Sequence, residues 1–529
     1  MRLSCIGWVS VSAFVVVVEC GSARGQQVTW RASVDSAGTE ANNGSYQPAV
    51  SRDGRFVAFH SNASNLVPGD GNGGSDVFVH DAQSGTTEIV SVDSAGVEGN
   101  SGSYAPALSA DGRFVVFPSF ASNLVSGDTN GRMDMFVRDR QAGTTERVSV
   151  DSSGGEANQD CGGSSISADG RFVVFQSAAT NLVAGDANSR SDIFLHDRQT
   201  GTTELVSVDS TGAQGNGDSG SCVISADGSL VVFISSADNL VPGDTNGWTD
   251  VFVRDRQAST TERVSVDSSG TQADADCGVG GAPAISADGR YVAFQTDATN
   301  LVAGDTNGSY DIFVRDRQSG TTEIVSIDST GTLGNAGSQT PCISADGRLV
   351  VFESDASNLI AADGNGWTDV FERDRQTGRT TRLSVSTAGG ESSGPSYSPA
   401  LSDDGRQAAF VSLSSDLIGG DANGWDDIYV RGRWLTLEAE PQIATAGATE
   451  TLTTWSGKPL APSVLVVIDV NGTPVFLPVL FGTFDAAGVE SVSGTVPSGL
   501  SGNAITFATF GIVSTGKVQA SNGAVVTFQ

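Results

Sequence analysis

Along most of this chain the apolar residues come in short runs, each set just behind a Ser-x-Asp-Gly turn, and the arrangement recurs seven times. In one copy Ser109-Ala110-Asp111-Gly112-Arg113 leads into Phe114-Val115-Val116-Phe117. The turns carry Asp53, Asp111, Asp169, Asp227, Asp288, Asp346 and Asp404, at spacings of 58 residues except for one of 61. Each unit predicts four short strands. Strand a precedes the turn (Tyr104-Ala105-Pro106-Ala107-Leu108) and strand b follows it (Phe114-Val115-Val116-Phe117). A long polar loop leads to strand c (Asp134-Met135-Phe136-Val137-Arg138), and strand d ends the unit (Thr145-Glu146-Arg147-Val148-Ser149-Val150). Runs of β-branched and aromatic residues bounded by Gly, Asp and Asn suit strands. No stretch sustains the 3.6-residue period of a helix. A four-stranded unit repeated at this length is the blade of a β-propeller.

The ends of the array predict how the ring closes. The seventh unit stops at Tyr429-Val430-Arg431-Gly432-Arg433 and lacks strand d, whereas Val28-Thr29-Trp30-Arg31-Ala32-Ser33-Val34-Asp35 offers one ahead of the first unit. The expected fold is therefore an all-β, seven-bladed propeller over residues 27–433, closed by an N-terminal strand that completes the last blade. Such closure hides an edge otherwise free to pair with other chains. An open solenoid would not need the displaced strand.

The Ser-x-Asp-Gly-Arg-apolar unit resembles the repeat of TolB-type propellers, a WD-repeat-like bacterial family. The resemblance covers residues 27–433 and implies the propeller fold. Proteins with this repeat are mostly binding or scaffolding modules, sometimes fused to enzymes. The amino-terminal domain that TolB itself carries is not recognisable, so a role in the Tol envelope system is not implied.

Residues 434–529 lose the repeat and alternate apolar segments such as Ser463-Val464-Leu465-Val466-Val467-Ile468 with turns such as Asn471-Gly472. They predict a small C-terminal β-sandwich, similar to the immunoglobulin-like modules of secreted bacterial proteins and suited to a spacer or attachment role. Residues 1–25 read as a secretory signal peptide: Arg2, an apolar core from Cys5 to Val18, then small residues at Gly21, Ala23 and Gly25. The expected location is extracellular, cell-surface or periplasmic, with no membrane span in the mature chain.

Charge narrows the partners. The net charge of −32 repels phosphate backbones and anionic membrane surfaces, so nucleic acid is excluded and an extracellular or periplasmic protein or glycan is expected. Export also implies an oxidising compartment. Cys161, Cys222, Cys277 and Cys342 lie just upstream of four successive turns. Neighbouring repeats sit side by side, which favours Cys161–Cys222 and Cys277–Cys342 disulfides over the other pairings, or over four buried thiols.

The candidate chemistry lies in the b–c loops, where Asp, Asn and Asp recur at i, i+2 and i+6. The sets are Asp70, Asn72, Asp76; Asp128, Asn130, Asp134; Asp186, Asn188, Asp192; Asp244, Asn246, Asp250; Asp305, Asn307, Asp311; Asp363, Asn365, Asp369; and Asp421, Asn423, Asp427. Calcium takes six to eight oxygens, and Asp-x-Asn-Gly begins like a calcium loop. It lacks the later ligands of an EF-hand, so carbonyls and water would complete the shell and affinity would be weak, roughly 10⁻⁴–10⁻³ M. A repeated Asx turn would produce the same letters. Two features favour metal: the length of the loop, and the mutual repulsion of so many carboxylates on one rim.

Trp248, Trp367 and Trp425 each follow at i+4 of such a loop. They could anchor a sugar or a protein, or cover the loop beneath them. Catalysis finds little support. His60, His80 and His196 share no motif, and Gly217-Asp218-Ser219-Gly220 has no histidine placed as base. The expected function is therefore secreted binding or scaffolding through the loop-rich, calcium-stiffened face. Two alternatives stay open: a polysaccharide hydrolase or lyase with carboxylates in the propeller channel, favoured by an asymmetric pocket, and a structural surface or matrix protein.

Overall fold

The computed structural model describes residues 28–361 and 363–432, and beyond them the strand backbones at 452–453, 464–470, 473–479, 504–513 and 517–527. The expected signal peptide lies outside the described residues. Residues 28–432 belong to one compact unit and the later strands to another.

Seven four-stranded antiparallel sheets make up the first unit. Blade 1 consists of Ser45–Val50, Phe56–Ser61, Asp76–Asp81 and Thr86–Ile89, strands a to d in chain order. In the seventh sheet Ser396–Leu401, Gln407–Ser412 and Asp427–Gly432 are joined by Val28–Arg31. Val28 stands opposite Gly432 and Arg31 opposite Tyr429. Strand d is shorter than the sequence suggests, ending at Arg147 in blade 2. Ser149 turns its hydroxyl to Asp134, and Val150 bridges to Glu156.

The blades stack face to face, and each layer between them is an apolar cluster. Ala58, Val77 and Val79 of blade 1 meet Val115, Phe117 and Phe136 of blade 2. Blade 7 contributes Ala409, Val411, Ile428 and Val430 to the same cluster as Val57, Phe59 and Phe78 of blade 1, so the ring of blades is complete. In every blade an aromatic of strand b stacks on one of strand c, as Phe59 does on Phe78 at 6.0 Å. Strands a of neighbouring blades lie against each other and line the central channel.

The Ser-x-Asp-Gly turn has two tasks. Within a blade, Asp53 accepts from Ser51 Oγ and the Arg55 N–H, and Ser51 Oγ accepts from the Phe56 N–H. Between blades, the x residues bond in series: Arg52 N–H to Ala110 O, Ala110 N–H to Ala168 O, and Ala168 N–H to Ala226 O. Glycine is required because φ is +68° at Gly112 and a Cβ there would lie 2.3 Å from the Phe56 ring of the preceding blade. On the same face Arg55 grips Asp81 through two parallel bonds of 2.9 and 2.7 Å, a pair repeated by Arg113–Asp139, Arg171–Asp197, Arg290–Asp316 and Arg348–Asp374.

The expected disulfides are not formed: Cys161, Cys222, Cys277 and Cys342 are separate thiols. Cys161 faces the layer between blades 2 and 3, and Cys222 the layer between blades 3 and 4, so the sheet of blade 3 stands between them. Cys277 faces the layer between blades 4 and 5, whereas the Cys342 thiol donates to Pro399 O of blade 7 at 3.0 Å. Adjacent repeats are not enough; a partner must face the same layer. Burial pushes all four thiols up to about 12, which leaves them inert at neutral pH.

In the second unit Val464–Val470 pairs with Thr473–Val479, and Ala504–Val513 with Lys517–Thr527. Among the described residues no helix is long and apolar enough to cross a membrane.

Candidate functional site: the loop-bearing face

The b–c and d–a loops leave the ring on one face, tied together by the asparagines. Asn72 Nδ2 donates to Asp76 at 2.8 Å and to the carbonyl of Gly99 in the following d–a segment at 2.9 Å. Its Oδ1 accepts from the N–H two residues on, and the same bond is made by Asn130, Asn188, Asn246, Asn307, Asn365 and Asn423. The seven asparagines are therefore Asx-turn staples: the amide oxygen accepts a backbone N–H, and the NH₂ group faces the carboxylate.

The two aspartates of each loop do converge. Asp76 and its six counterparts open strand c, fully buried, and each accepts from a serine hydroxyl, Ser91 at 2.7 Å in blade 1. What lies between the paired carboxylates differs from blade to blade. In four blades the last residue of strand d is an arginine. Arg147 reaches Glu156 at 2.6 Å, Asp128 at 3.5 Å and Asp134 at 3.6 Å. Arg263 reaches Asp244 and Asp250 at 2.9 and 3.1 Å. Arg382 lies 3.1 Å from both Asp363 and Asp369, and 3.3 Å from Glu391. In blade 7 the N-terminal strand supplies Arg31, at 2.8 Å from Glu40, 2.9 Å from Asp427 and 3.4 Å from Asp421. The repulsion expected among the rim carboxylates is thus met largely from within. The seven loops are not seven equivalent cation sites.

Three blades differ. In blade 3 Leu205 takes the arginine position, and the Gln214 amide donates to Asp186 and Asp192 at 2.8 and 2.9 Å. In blade 5 Ile324 and Leu333 replace arginine and glutamate; Asp305 is 8% exposed, yet its Oδ1 has no hydrogen-bond partner. In blade 1 Ile89 replaces arginine, and Asp70, Asp76 and Glu98 place oxygens within 4.8 Å of one another. Burial, then Asp76 and Glu98, push Asp70 up to about 7. In blade 2 burial and Asp134 push Asp128 up to about 6, against the pull of Arg147.

Trp248, Trp367 and Trp425 are 46%, 50% and 47% exposed, at the repeat position held by Gly74, Arg132, Arg190 and Ser309 in the other blades. Their backbone is pinned by Asn246, Asn365 and Asn423, so each indole projects from a fixed loop.

The channel mouth on this face breaks the sevenfold symmetry. The repeat position that is second in strand a of blades 1 and 7 holds Tyr46 and Tyr397, and Tyr104 just ahead of strand a in blade 2, but Gly162 and Gly220 in blades 3 and 4. Tyr46 and Tyr397 both bond Asp426, and Glu353 accepts from the Ser398 N–H at 2.6 Å. The residue after this position is bulged into left-handed backbone at Gln47, Ala105, Ser221, Thr340 and Ser398, with φ between 40° and 54°. The Cβ of each residue crowds the backbone carbonyl in that conformation and makes it costly, so neighbours must hold it in place. The repeat pattern by itself singles out neither the tyrosines nor the arginines. The Gly-Ser-Tyr triplets at Gly44 and Gly102, and the arginines alternating with Ile and Leu, are the signals that the sequence offers for them.

The histidines are structural. His80 and His196 pair with Thr87 and Thr203 at 2.9 Å, where Arg138 bonds Thr145 in blade 2. Ser219 of the Gly-Asp-Ser-Gly run bonds Ser235. His60 lies between Tyr46 and Tyr104, and its Nδ1 accepts from the Ala105 N–H at 3.4 Å. Burial holds His60 down at about 4. Its unfolded value is near 6.5, so between the two the unfolded chain carries more protons, and acidification from neutrality towards pH 4 removes stability. The full loss from this one group is about 3 kcal/mol. Gln176 and Gln295 hold the same repeat position and accept from the bulge N–H at 3.0 and 2.7 Å. His60→Gln is therefore expected to fold and to flatten the slope; urea unfolding at stepped pH checks it, and equal slopes in both proteins would show that His60 titrates normally.

No family model matches the chain, and no curated protein matches it. Similar solved structures include TolB from Acinetobacter baumannii, 17% identical over 58% of this chain and 59% of that one, with a TM-score of 0.34. The chain thus spans about three fifths of that protein's length. An oligogalacturonate lyase in complex with manganese is 13% identical over 80% and 97% of the two chains, TM-score 0.46. A putative TolB from Agrobacterium tumefaciens is 13% identical over 81% and 100%, TM-score 0.34. The neighbours of this seven-bladed ring therefore include TolB proteins.

Proposed function

We propose that this protein binds or scaffolds a partner outside the cytoplasm through the loop-bearing face of the propeller. One observation carries the reading: three indoles, each about half exposed, stand at the same repeat position on loops whose backbone is stapled. Rigid exposed tryptophans give contact area at little entropic cost and suit a sugar ring or an apolar protein patch. The strongly acidic chain disfavours polyanions, so the partner is a neutral glycan or a protein surface. In this reading residues 1–25 direct export, the N-terminal strand clasps the ring, and residues 434–529 form a β-sandwich for attachment.

The test uses soluble neutral polysaccharides and immobilised envelope proteins as probes, with the full chain and a Trp248→Ala, Trp367→Ala, Trp425→Ala triple variant. A probe that binds the full chain is expected to bind the variant at least about tenfold more weakly, since loss of a single aromatic anchor commonly costs about 2 kcal/mol. Equal binding would move the site to the channel. There the asymmetric mouth, with Tyr46, Tyr397, Glu353 and Asp426, supports the second reading, a polysaccharide-active enzyme. Release of reducing ends or unsaturated products would be its readout.

A further inference from the structure

We infer that the loop of blade 1 binds a hard divalent cation of the calcium class through Asp70, Asp76 and Glu98. The site is separate from the tryptophans and does not depend on what they bind.

The molecule supplies its own comparison. Seven times the fold brings two loop aspartates together, and in blades 2, 4, 6 and 7 a guanidinium nitrogen lies between them at 2.9–3.6 Å. That place is built for positive charge. In blade 3 an amide NH₂ group answers both carboxylates instead. Blade 5 has neither, and there a carboxylate oxygen of Asp305, on a residue 8% exposed, is left without a partner. Blade 1 has the same isoleucine at the arginine position, yet keeps the acidic residue that blade 5 has lost. Glu98 corresponds to Glu156 and Glu391, which elsewhere share the arginine. Among the described residues no ion pair reaches Asp70, Asp76 or Glu98.

Three carboxylates with oxygens within 4.8 Å of one another form an all-oxygen, trianionic donor set. Such a set suits calcium, which accepts irregular geometry and lets carbonyls and water complete six to eight ligands; softer metals prefer nitrogen or sulfur. Asn72 holds the loop from the side, with its amide on Asp76 and the Gly99 carbonyl. Three carboxylates on a stapled but exposed loop suit an extracellular-type affinity, roughly 10⁻⁴–10⁻³ M.

The experiment is calcium chloride titration of the full chain by calorimetry, paired with thermal unfolding in millimolar calcium and in chelator. Two variants accompany it. Ile89→Arg gives blade 1 the guanidinium of its siblings; Glu98→Gln removes one ligand while keeping a side chain already used in blades 3 and 4. The wild type is expected to bind one calcium ion and to melt higher in calcium. Ile89→Arg is expected to bind none, and to melt in chelator at least as high as the wild type does. Glu98→Gln is expected to bind at least about tenfold more weakly. Absence of heat and of any melting shift in the wild type overturns the inference. So does calcium binding of unchanged affinity in a folded Ile89→Arg or, should that variant not fold, in Glu98→Gln.

Discussion

A chain that begins at residue 36 is expected to lose cooperative folding or, at the least, to melt more than about 15 °C lower and to self-associate. Residues 28–33 hold three kinds of interaction at once. Their backbone completes the sheet of blade 7, with Thr29, Trp30 and Arg31 opposite Arg431, Val430 and Tyr429 and a bond from the Ala32 N–H to Ile428 O at 2.8 Å. Trp30 and Ala32 pack in the layer that joins the first and last blades. Ser33 Oγ donates to Asp427 at 2.5 Å, and Arg31 is the cation beside Asp421, Asp427 and Glu40. Removing them strips apolar cover, opens a strand edge and leaves buried carboxylates without their cation. Leaving a buried charge without its partner alone costs about 3–5 kcal/mol. That is a large part of the 5–15 kcal/mol by which a domain is commonly stable. The exposed edge of Asp427–Gly432 then becomes a template for other chains. Circular dichroism melting and size-exclusion chromatography read both effects. A synthetic peptide of residues 27–36 added in trans is expected to raise the melting temperature again. An unchanged melting curve would mean that the strand is an accessory and not a clasp.

Repetition explains why so much of this fold was legible. A single Ser-x-Asp-Gly or Asp-x-Asn-Gly is weak, but seven in register predict the strands and the turns of a seven-bladed ring. The site was less legible because its determinants are relations between repeats. Arg147, Arg263 and Arg382 alternate along the chain with Ile89, Leu205 and Ile324, which reads as tolerance at a half-buried strand end. Only the fold sets that position over the aspartate pair. The asparagines were visible, but their letters do not say whether the amide oxygen meets a backbone N–H or a cation; all seven meet the N–H. The cysteines failed for a related reason. Spacing gives the blade a residue belongs to, while the layer it faces depends on which side of the sheet its side chain takes.

Arg382→Ile should show how much one internal cation contributes. The substitution copies what blades 1 and 5 already carry at this position, so the strand itself tolerates it. Asp363, Asp369 and Glu391 would be left facing each other, with Asp369 fully buried and Asp363 nearly so. Ser384 and Asn365 would still bond Asp369, at 2.6 and 2.9 Å, so only the cation is lost. Breaking a buried ion pair from one side costs about 3–5 kcal/mol. The low end is expected because Arg382 Nε has no partner, and its removal relieves one buried unsatisfied N–H. Urea unfolding at neutral pH should therefore show a loss of about 3 kcal/mol. The variant would also carry the three-carboxylate arrangement of blade 1, and millimolar calcium is expected to recover part of the loss. Full stability without calcium would mean that the carboxylates relax into water or share protons at little cost. The arginines would then be fillers of space rather than resident cations. A loss that calcium cannot touch would mean that the guanidinium fork, rather than its charge, is what the paired aspartates require.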